Sequence, residues 1–295
     1  MELHQADIRQ EELRVTARDG YPLAARVYFP AEANACKAGV LISSGTGYPK
    51  EFYARFAQYG ASRGFACMIY DYRGIGSSAP ENMRECTADL MDWGTLDAPA
   101  ALSALVEGLE GQPVFTLGHS FGGQLIGLMD NHTLAKAHVF VAVGNGYWAH
   151  HHPRDWWKEF MFFAVQGPSS IKQHGYLKGT EYWPGSSMPT AVFKQWRRWC
   201  LSPRYYCKDI QKKLGEAFFE MHNAPIRQFA FTDDPVVNAK SEAFIRQCYK
   251  SADYKTNWID PTTLGIASIG HSGAFSRSAR AFWPIPFDWF ETLMS

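Results

Sequence analysis

Ser120 stands in Gly118-x-Ser120-x-Gly122, between a short apolar run at residues 114–117 and a stretch in which Leu125, Ile126 and Leu128 recur at helical spacing. A run rich in β-branched and aromatic residues suits a buried strand, and the spacing after the glycines suits the inner face of a helix. A serine at that junction, with no Cβ on Gly118 or Gly122 to obstruct the chain, can be thrust outward on a strained turn. The chemistry this permits is nucleophilic attack on a carbonyl. A serine hydroxyl is a poor nucleophile near neutral pH, so the reading requires a base to take its proton and a carboxylate to fix the tautomer of that base.

Both follow downstream. Asp234 lies in Asp233-Asp-Pro-Val-Val237 after the apolar run 226–231, with Asp233 as its rival, and His271 lies between glycines after the apolar run 264–269. A tetrahedral oxyanion also needs two preorganised N–H donors, each worth about 3 kcal/mol or more in the transition state. Phe121, directly after the nucleophile, supplies one. His119 points away from the serine Oγ and reads as structural. His150, His151 and His152 are adjacent, so they cannot all face one ion from a helix or strand, and nothing in the expected chemistry requires a metal or an organic cofactor.

These residues must be positioned by elements the periodicity predicts. Strands are expected at residues 12–17 and 22–29, joined by an Asp19-Gly20 turn, and at 38–44, 65–70, 114–117, 138–143, 226–231 and 264–269. Helices are expected at 52–61, 88–109 and 239–249, and at 279–294 with interruptions at Pro284 and Pro286. Strands alternating with helices at this pitch predict a mostly parallel sheet covered on both faces. The rhythm breaks at residues 147–223, which are rich in aromatics, Pro and Gly and include Tyr182-Trp-Pro184. Short amphipathic helices joined by loops would account for that stretch.

With 295 residues, 46% of them hydrophobic, the chain can bury a sizeable core in one elaborated domain. Lys plus Arg and Asp plus Glu each number 29, so no net field points to nucleic acid or an acidic membrane surface. The first residues lack the apolar core of a leader and no segment is long enough to span a bilayer, so a soluble, cytoplasmic protein is expected. Six cysteines without a Cys-x-x-Cys read as buried thiols.

Taken together, Gly45-Thr-Gly47, the turn from Asp71 to Ser77, Gly118-His-Ser-Phe-Gly122, Asp233-Asp-Pro-Val-Val237 and Gly270-His-Ser-Gly273 resemble the α/β-hydrolases, most closely the bacterial esterase, lipase and serine-aminopeptidase-like branch. The order Ser, Asp, His is the one expected of that superfamily. The resemblance covers the core and leaves out the aromatic insert. It implies an α/β-hydrolase fold, with a mostly parallel eight-stranded sheet flanked by helices and a helical cap after strand 6. The core would then comprise residues 1–146 and 224–295, and the cap 147–223.

The resemblance further implies Ser120, His271 and Asp234 as the catalytic set, Asp234 being favoured over Asp233 by the residues that follow it. Where relatives often carry His-Gly after the third strand, this chain has Ser44-Gly45, so Thr46 becomes the second oxyanion donor, with Gly47 its near rival. Asp71 and Arg73 would brace the loops around the site. Gly47, Tyr147, Trp148 and Trp157 are candidates to contact substrate, with Trp156, Phe160 and Trp199 as further wall residues or simply packing. The implied activity is hydrolysis of a carboxylic ester with an apolar acyl or aromatic part through an acyl-serine. An amidase or aminopeptidase-like hydrolase, an acyltransferase and a low-turnover ligand-binding protein are the alternatives. The partner is a small molecule, and the oligomeric state is open.

Overall fold

The computed structural model describes residues 8–32, 35–179, 185–214 and 217–294. Eight strands form one sheet in the order β1-β2-β4-β3-β5-β6-β7-β8. They are β1 (Ile8–Thr16), β2 (Pro22–Pro30), β3 (Ala38–Ser43), β4 (Phe65–Tyr70), β5 (Val114–His119), β6 (Ala135–Val141), β7 (Ile226–Phe231) and β8 (Tyr254–Ile259). The pairs β1·β2 and β2·β4 are antiparallel and all others parallel. Every residue of β3, β4 and β5 is buried, as continuous apolar runs require when helices cover both faces of a sheet.

One face is covered by α1 (Ala54–Ser62) and α10 (Pro284–Thr292); Phe56 of α1 packs on Phe287 of α10, and Phe287 and Phe290 pack on the rings of Phe65 and Phe115 in the sheet. The other face carries α2 (Leu90–Asp92), a π turn at Trp93–Asp97, α3 (Ala98–Glu107), α4 (Phe121–Gln124) and α9 (Ala239–Arg246). Between β6 and β7 lie α5 (Trp156–Phe160), a π turn at Met161–Gln166, α6 (Gly167–His174), α7 (Thr190–Cys200) and α8 (Cys207–Lys213). The Tyr182-Trp-Pro184 stretch lies outside the described residues. Among those described, no helix is long and apolar enough to cross a membrane.

Two expectations need correction. The last strand is Tyr254–Ile259 and not residues 264–269. As the edge of the sheet it has no buried residue and alternates half-buried and exposed side chains from Tyr254 to Asn257, so it lacks the apolar run of the central strands. Leu264 instead closes a 3₁₀ turn, Gly265 takes φ +68°, and Ile266 and Ile269 enter the core from a loop. The C-terminal helix is also not interrupted by its prolines. Pro284 and Pro286 occupy the first turn of α10, where no intrahelical N–H bond is due, so they begin the helix.

Below the parallel strands three imidazoles meet. His222 lies 4.3 Å from the ring of His132 and 4.4 Å from that of His138, whose Nδ1 is 2.7 Å from the Thr116 hydroxyl. Both ring nitrogens of His222 are buried without a partner among the described residues. Burial first, and His132 second, hold its pKa near about 3, and burial pushes His138 and His132 down in the same direction.

An unfolded chain takes up such protons near about pH 6.5, so between that pH and about 3 the folded chain binds fewer. Stability is therefore lost as pH falls through this window, by about 1.4 kcal/mol per pH unit for a group such as His222. His222→Phe keeps a ring and removes the titration, so its unfolding free energy in urea should fall less than wild type between about pH 7 and pH 5. Equal slopes would contradict a neutral buried cluster.

Candidate active site

The elbow is built by close approach. A Cβ on Gly118 would collide with the backbone of Gly123, and one on Gly122 with the carbonyl of Ser43, so only glycine admits the turn from β5 into α4. Ser120 takes φ +50° and ψ −120°, a strained conformation for a residue with a side chain. Its amide donates to the Val141 carbonyl at 3.0 Å, which pins the turn to β6.

Ser120 Oγ is 2.9 Å from His271 Nε2, and His271 Nδ1 is 2.9 Å from Asp234 Oδ2. The Asp234 side chain is wholly buried, and its other oxygen accepts from the amides of Val236 at 2.8 Å and Val237 at 3.0 Å. With Asp234 accepting, the Nδ1 proton is fixed and Nε2 faces the serine. Burial opposes a charge on His271, but the negative charge of Asp234 and its hydrogen bond outweigh that and raise its pKa.

Asp233 points elsewhere. Its carboxylate accepts from the Ser268 hydroxyl at 2.7 Å and the amides of Ile269 at 2.9 Å and Gly270 at 3.0 Å, clasping the loop that presents His271. Burial works against its charge, but these donors hold its pKa below the usual carboxylate value. The two aspartates thus touch different parts of one loop.

The loop after β3 is held just as firmly. The Gly45 amide donates to Tyr53 Oη at 2.9 Å, Tyr53 Oη lies 2.7 Å from His119 Nδ1, and His119 Nε2 lies 2.9 Å from the His271 carbonyl. Burial, and His271 second, lower the His119 pKa to about 3, so the ring is neutral. A carbonyl only accepts, so the proton is on Nε2 and Tyr53 donates to Nδ1. One buried relay therefore ties the loop at Gly45, the elbow and the loop of His271.

The turn after β4 braces the same loop. Tyr72 Oη donates to the Ser44 carbonyl at 2.9 Å, and Asp71 accepts from the Lys50 amide at 2.6 Å and the Lys50 ammonium at 3.0 Å. Arg73 reaches Asp97 in the π turn at 2.7 Å and Asp19 at 2.6 Å. Beyond this scaffold, the amides of Thr46 and Phe121 have no acceptor within the chain among the described residues.

A cavity of about 590 Å³ opens over Ser120. Thr46, Phe121 and His271 line its floor and Trp157, Met161 and Trp196 part of its wall.

Residues 34–181 match the profile of the family described as serine aminopeptidase, S33. The chain belongs to that family of hydrolases. No curated protein matches it. Among solved structures it is similar to an esterase from Pyrococcus furiosus, at 12% identity and a TM-score of 0.65 over 98% of this chain and 92% of that one. It is similar also to a soluble variant of monoglyceride lipase from Saccharomyces cerevisiae in complex with a substrate analog, at 14% identity and a TM-score of 0.69 over 98% of each chain. A third is brefeldin A esterase, a bacterial homologue of human hormone sensitive lipase, at 14% identity and a TM-score of 0.60 over 100% of this chain and 78% of that one. At such identities the likeness is one of fold, the α/β-hydrolase fold.

Within this family member Ser120, His271, Phe121, Thr46 and Trp157 meet at one cavity, with Asp234 behind His271. Gly47, Tyr147 and Trp148 are not in its lining. Gly47 has φ +72° and its carbonyl accepts from the Ser186 amide at 2.7 Å, while Tyr147 packs against Trp148 and His150, and Trp148 against Trp156. Trp199 is buried against Phe121 and Tyr205, and Phe160 is exposed. Of the adjacent histidines, His150 bonds Asn145, His151 bonds Glu159 and His152 caps the Arg154 amide.

Sequence reasoning passes over Tyr53 and the wall residues Met161, Phe162, Phe163 and Trp196. The signal for the wall is the apolar face of α7, where Val192, Phe193, Trp196, Trp199 and Cys200 recur at helical spacing. Tyr53 carries no local signal, because its partners are remote in sequence.

Tyr53→Phe strands the Gly45 amide and His119 Nδ1. It should destabilise the fold by about 1–3 kcal/mol, measured by urea unfolding. An unchanged midpoint would contradict the relay.

Proposed function

We propose that this hydrolase cleaves a carboxylic ester with an apolar acyl or aromatic part through an acyl-serine on Ser120. The hydrogen-bonded line from Ser120 Oγ through His271 to the buried Asp234 is the observation that carries the reading. His271 Nε2 takes the serine proton as Oγ attacks the carbonyl, and Asp234 stabilises the imidazolium that forms. The amides of Phe121 and Thr46 are free to receive the oxyanion. His271 then protonates the leaving alcohol, and a water delivered past the same nitrogen releases the acid.

Residues 147–223 act as a cap whose rings form the wall that receives the apolar part. The six free thiols accord with a cytoplasmic setting. Amide cleavage is the second reading, favoured by the family's description as aminopeptidases. An aminopeptidase must seat an ammonium against an open carboxylate. Among the described residues lining the cavity Glu159 is the one acid; its Oε1 is 2.6 Å from His151 Nδ1 and its Oε2 is buried without a partner, so it is the one group that could receive an ammonium, while the mostly aromatic and aliphatic wall supports the ester as the first reading.

A fluorophosphonate should phosphonylate the wild-type chain once, with loss of HF, and leave Ser120→Ala unmodified, read by intact-mass spectrometry; an unlabelled wild type would sink the proposal. Activity should be lost as pH falls through the His271 pKa, because only the neutral ring is a base, and that limb lies above about 6.5. Asp234→Asn removes the charge that raises this pKa, so the limb should move toward acid and kcat should fall by about 10³–10⁴. A limb that stays in place would remove Asp234 from the role.

A further inference from the structure

The helical run that begins at α5 and continues through the π turn into α6 has two unlike faces. Inward, Phe162 and Phe163 pack on Phe193 and Trp196 of α7, with ring centroids 5.2 to 6.3 Å apart. Outward, Trp157, Phe160, Met161 and Val165, spaced at i, i+3, i+4 and i+8, are between 37% and 65% exposed. Single exposed apolar residues are ordinary, but a helical stripe of four is an interaction surface. Trp157 and Met161 also line the cavity over Ser120, so stripe and cavity form one apolar path.

The segment that carries this path is net basic. Residues 147–222 carry eleven Lys and Arg against six Asp and Glu, which leaves eighteen against twenty-three for the rest. The zero total therefore divides into +5 on this segment and −5 elsewhere. Next to the stripe the cations face water and the acid is tucked in. Arg154 and Lys158 expose 75% and 60% of their side chains and Asp155 only 17%.

We propose that this stripe docks on the surface of an anionic lipid bilayer, with the helical run lying flat in the headgroup region and the cavity mouth facing the acyl chains. Trp and Phe on one helical face with flanking cations is the pattern that seats a helix in the interface plane. Anionic headgroups attract the basic segment, and the opposed charge of the rest of the molecule orients it. An apolar ester then passes from lipid to cavity without crossing water. Only this last step rests on the proposed hydrolase; docking is measurable without turnover.

The test is cosedimentation with vesicles of phosphatidylcholine alone and of phosphatidylcholine with phosphatidylglycerol, using wild type and Ser120→Ala. Both proteins should bind the mixed vesicles, more weakly as salt rises, and bind the neutral ones less. The double variants Phe160→Ser/Val165→Ser and Arg154→Glu/Lys172→Glu, all outside the cavity lining, should each bind at least about tenfold more weakly. They should keep the wild-type melting temperature and rate of fluorophosphonate labelling. Docking is overturned if wild type fails to bind anionic vesicles at low salt, or if both double variants bind as wild type does. It is also overturned if the stripe mediates a concentration-dependent dimer, lost in Phe160→Ser/Val165→Ser, while vesicles are ignored. Vesicle binding without labelling of Ser120 would leave docking standing and remove the hydrolase reading alone.

Discussion

The contact of Gly122 with the end of β3 is the constraint on which the rest of the site depends. A strained backbone such as that of Ser120 costs about 1–3 kcal/mol and persists only where its surroundings over-determine it. Here β5 is locked between β3 and β6, the Ser120 amide is held by Val141, and the Gly122 backbone is pressed on the carbonyls of Ser43 and Ser44. The same two serines lead into the loop that carries Thr46. The elbow and that loop therefore share a surface and cannot shift independently, which fixes the amides of Phe121 and Thr46 relative to Oγ.

Around this contact, buried polar groups hold loops that packing alone would leave free. Lys50 and Asp71 are both buried, as are Arg73 and Asp97. A buried ion pair contributes little net stability, because the cost of desolvation offsets the attraction. Its effect is to exclude alternatives, since any other arrangement strands a charge out of water. Asp71 ties the Lys50 amide to the turn after β4, Asp233 closes the loop before His271, and the Tyr53 and His119 relay joins three loops through neutral groups. The neutrality of His119 matters: a cation there would repel any charge on the neighbouring His271.

Most of the sheet was legible in the sequence because its central strands are buried on both faces and so appear as unbroken apolar runs. The edge was not. Tyr254–Ile259 has one half-buried face and polar neighbours, so the nearby apolar stretch around Ile266 and Ile269 outcompeted it. The residues now found in line, Ser120, His271 and Asp234, were legible because each follows a short glycine- or proline-marked break. Asp234 was favoured over Asp233 by the residues that follow it, but that Asp233 clasps the loop before His271 was not legible, since one residue of register along an irregular turn decides it. Tyr53 was invisible for the opposite reason: its role arises from contacts with Gly45 and His119, which no local pattern encodes.

The aromatic segment follows different rules from the core. Its helices are short, and the π turn at Met161–Gln166 adds a residue to the helical repeat, which lets the consecutive Phe162 and Phe163 both turn toward α7 while Met161 and Val165 stay outside. Composition conceals the result twice over. Hydrophobic content counts a ring on the outer stripe and a ring in the wall alike, and net charge cancels a basic segment against an acidic remainder. Both quantities are sums, whereas recognition depends on how apolar area and charge are distributed over a surface. In this chain the exposed apolar stripe and the cavity over Ser120 share Trp157 and Met161, and both residues lie in the segment that carries the excess of Lys and Arg, so the wall of the cavity differs in kind from the core that supports the fold.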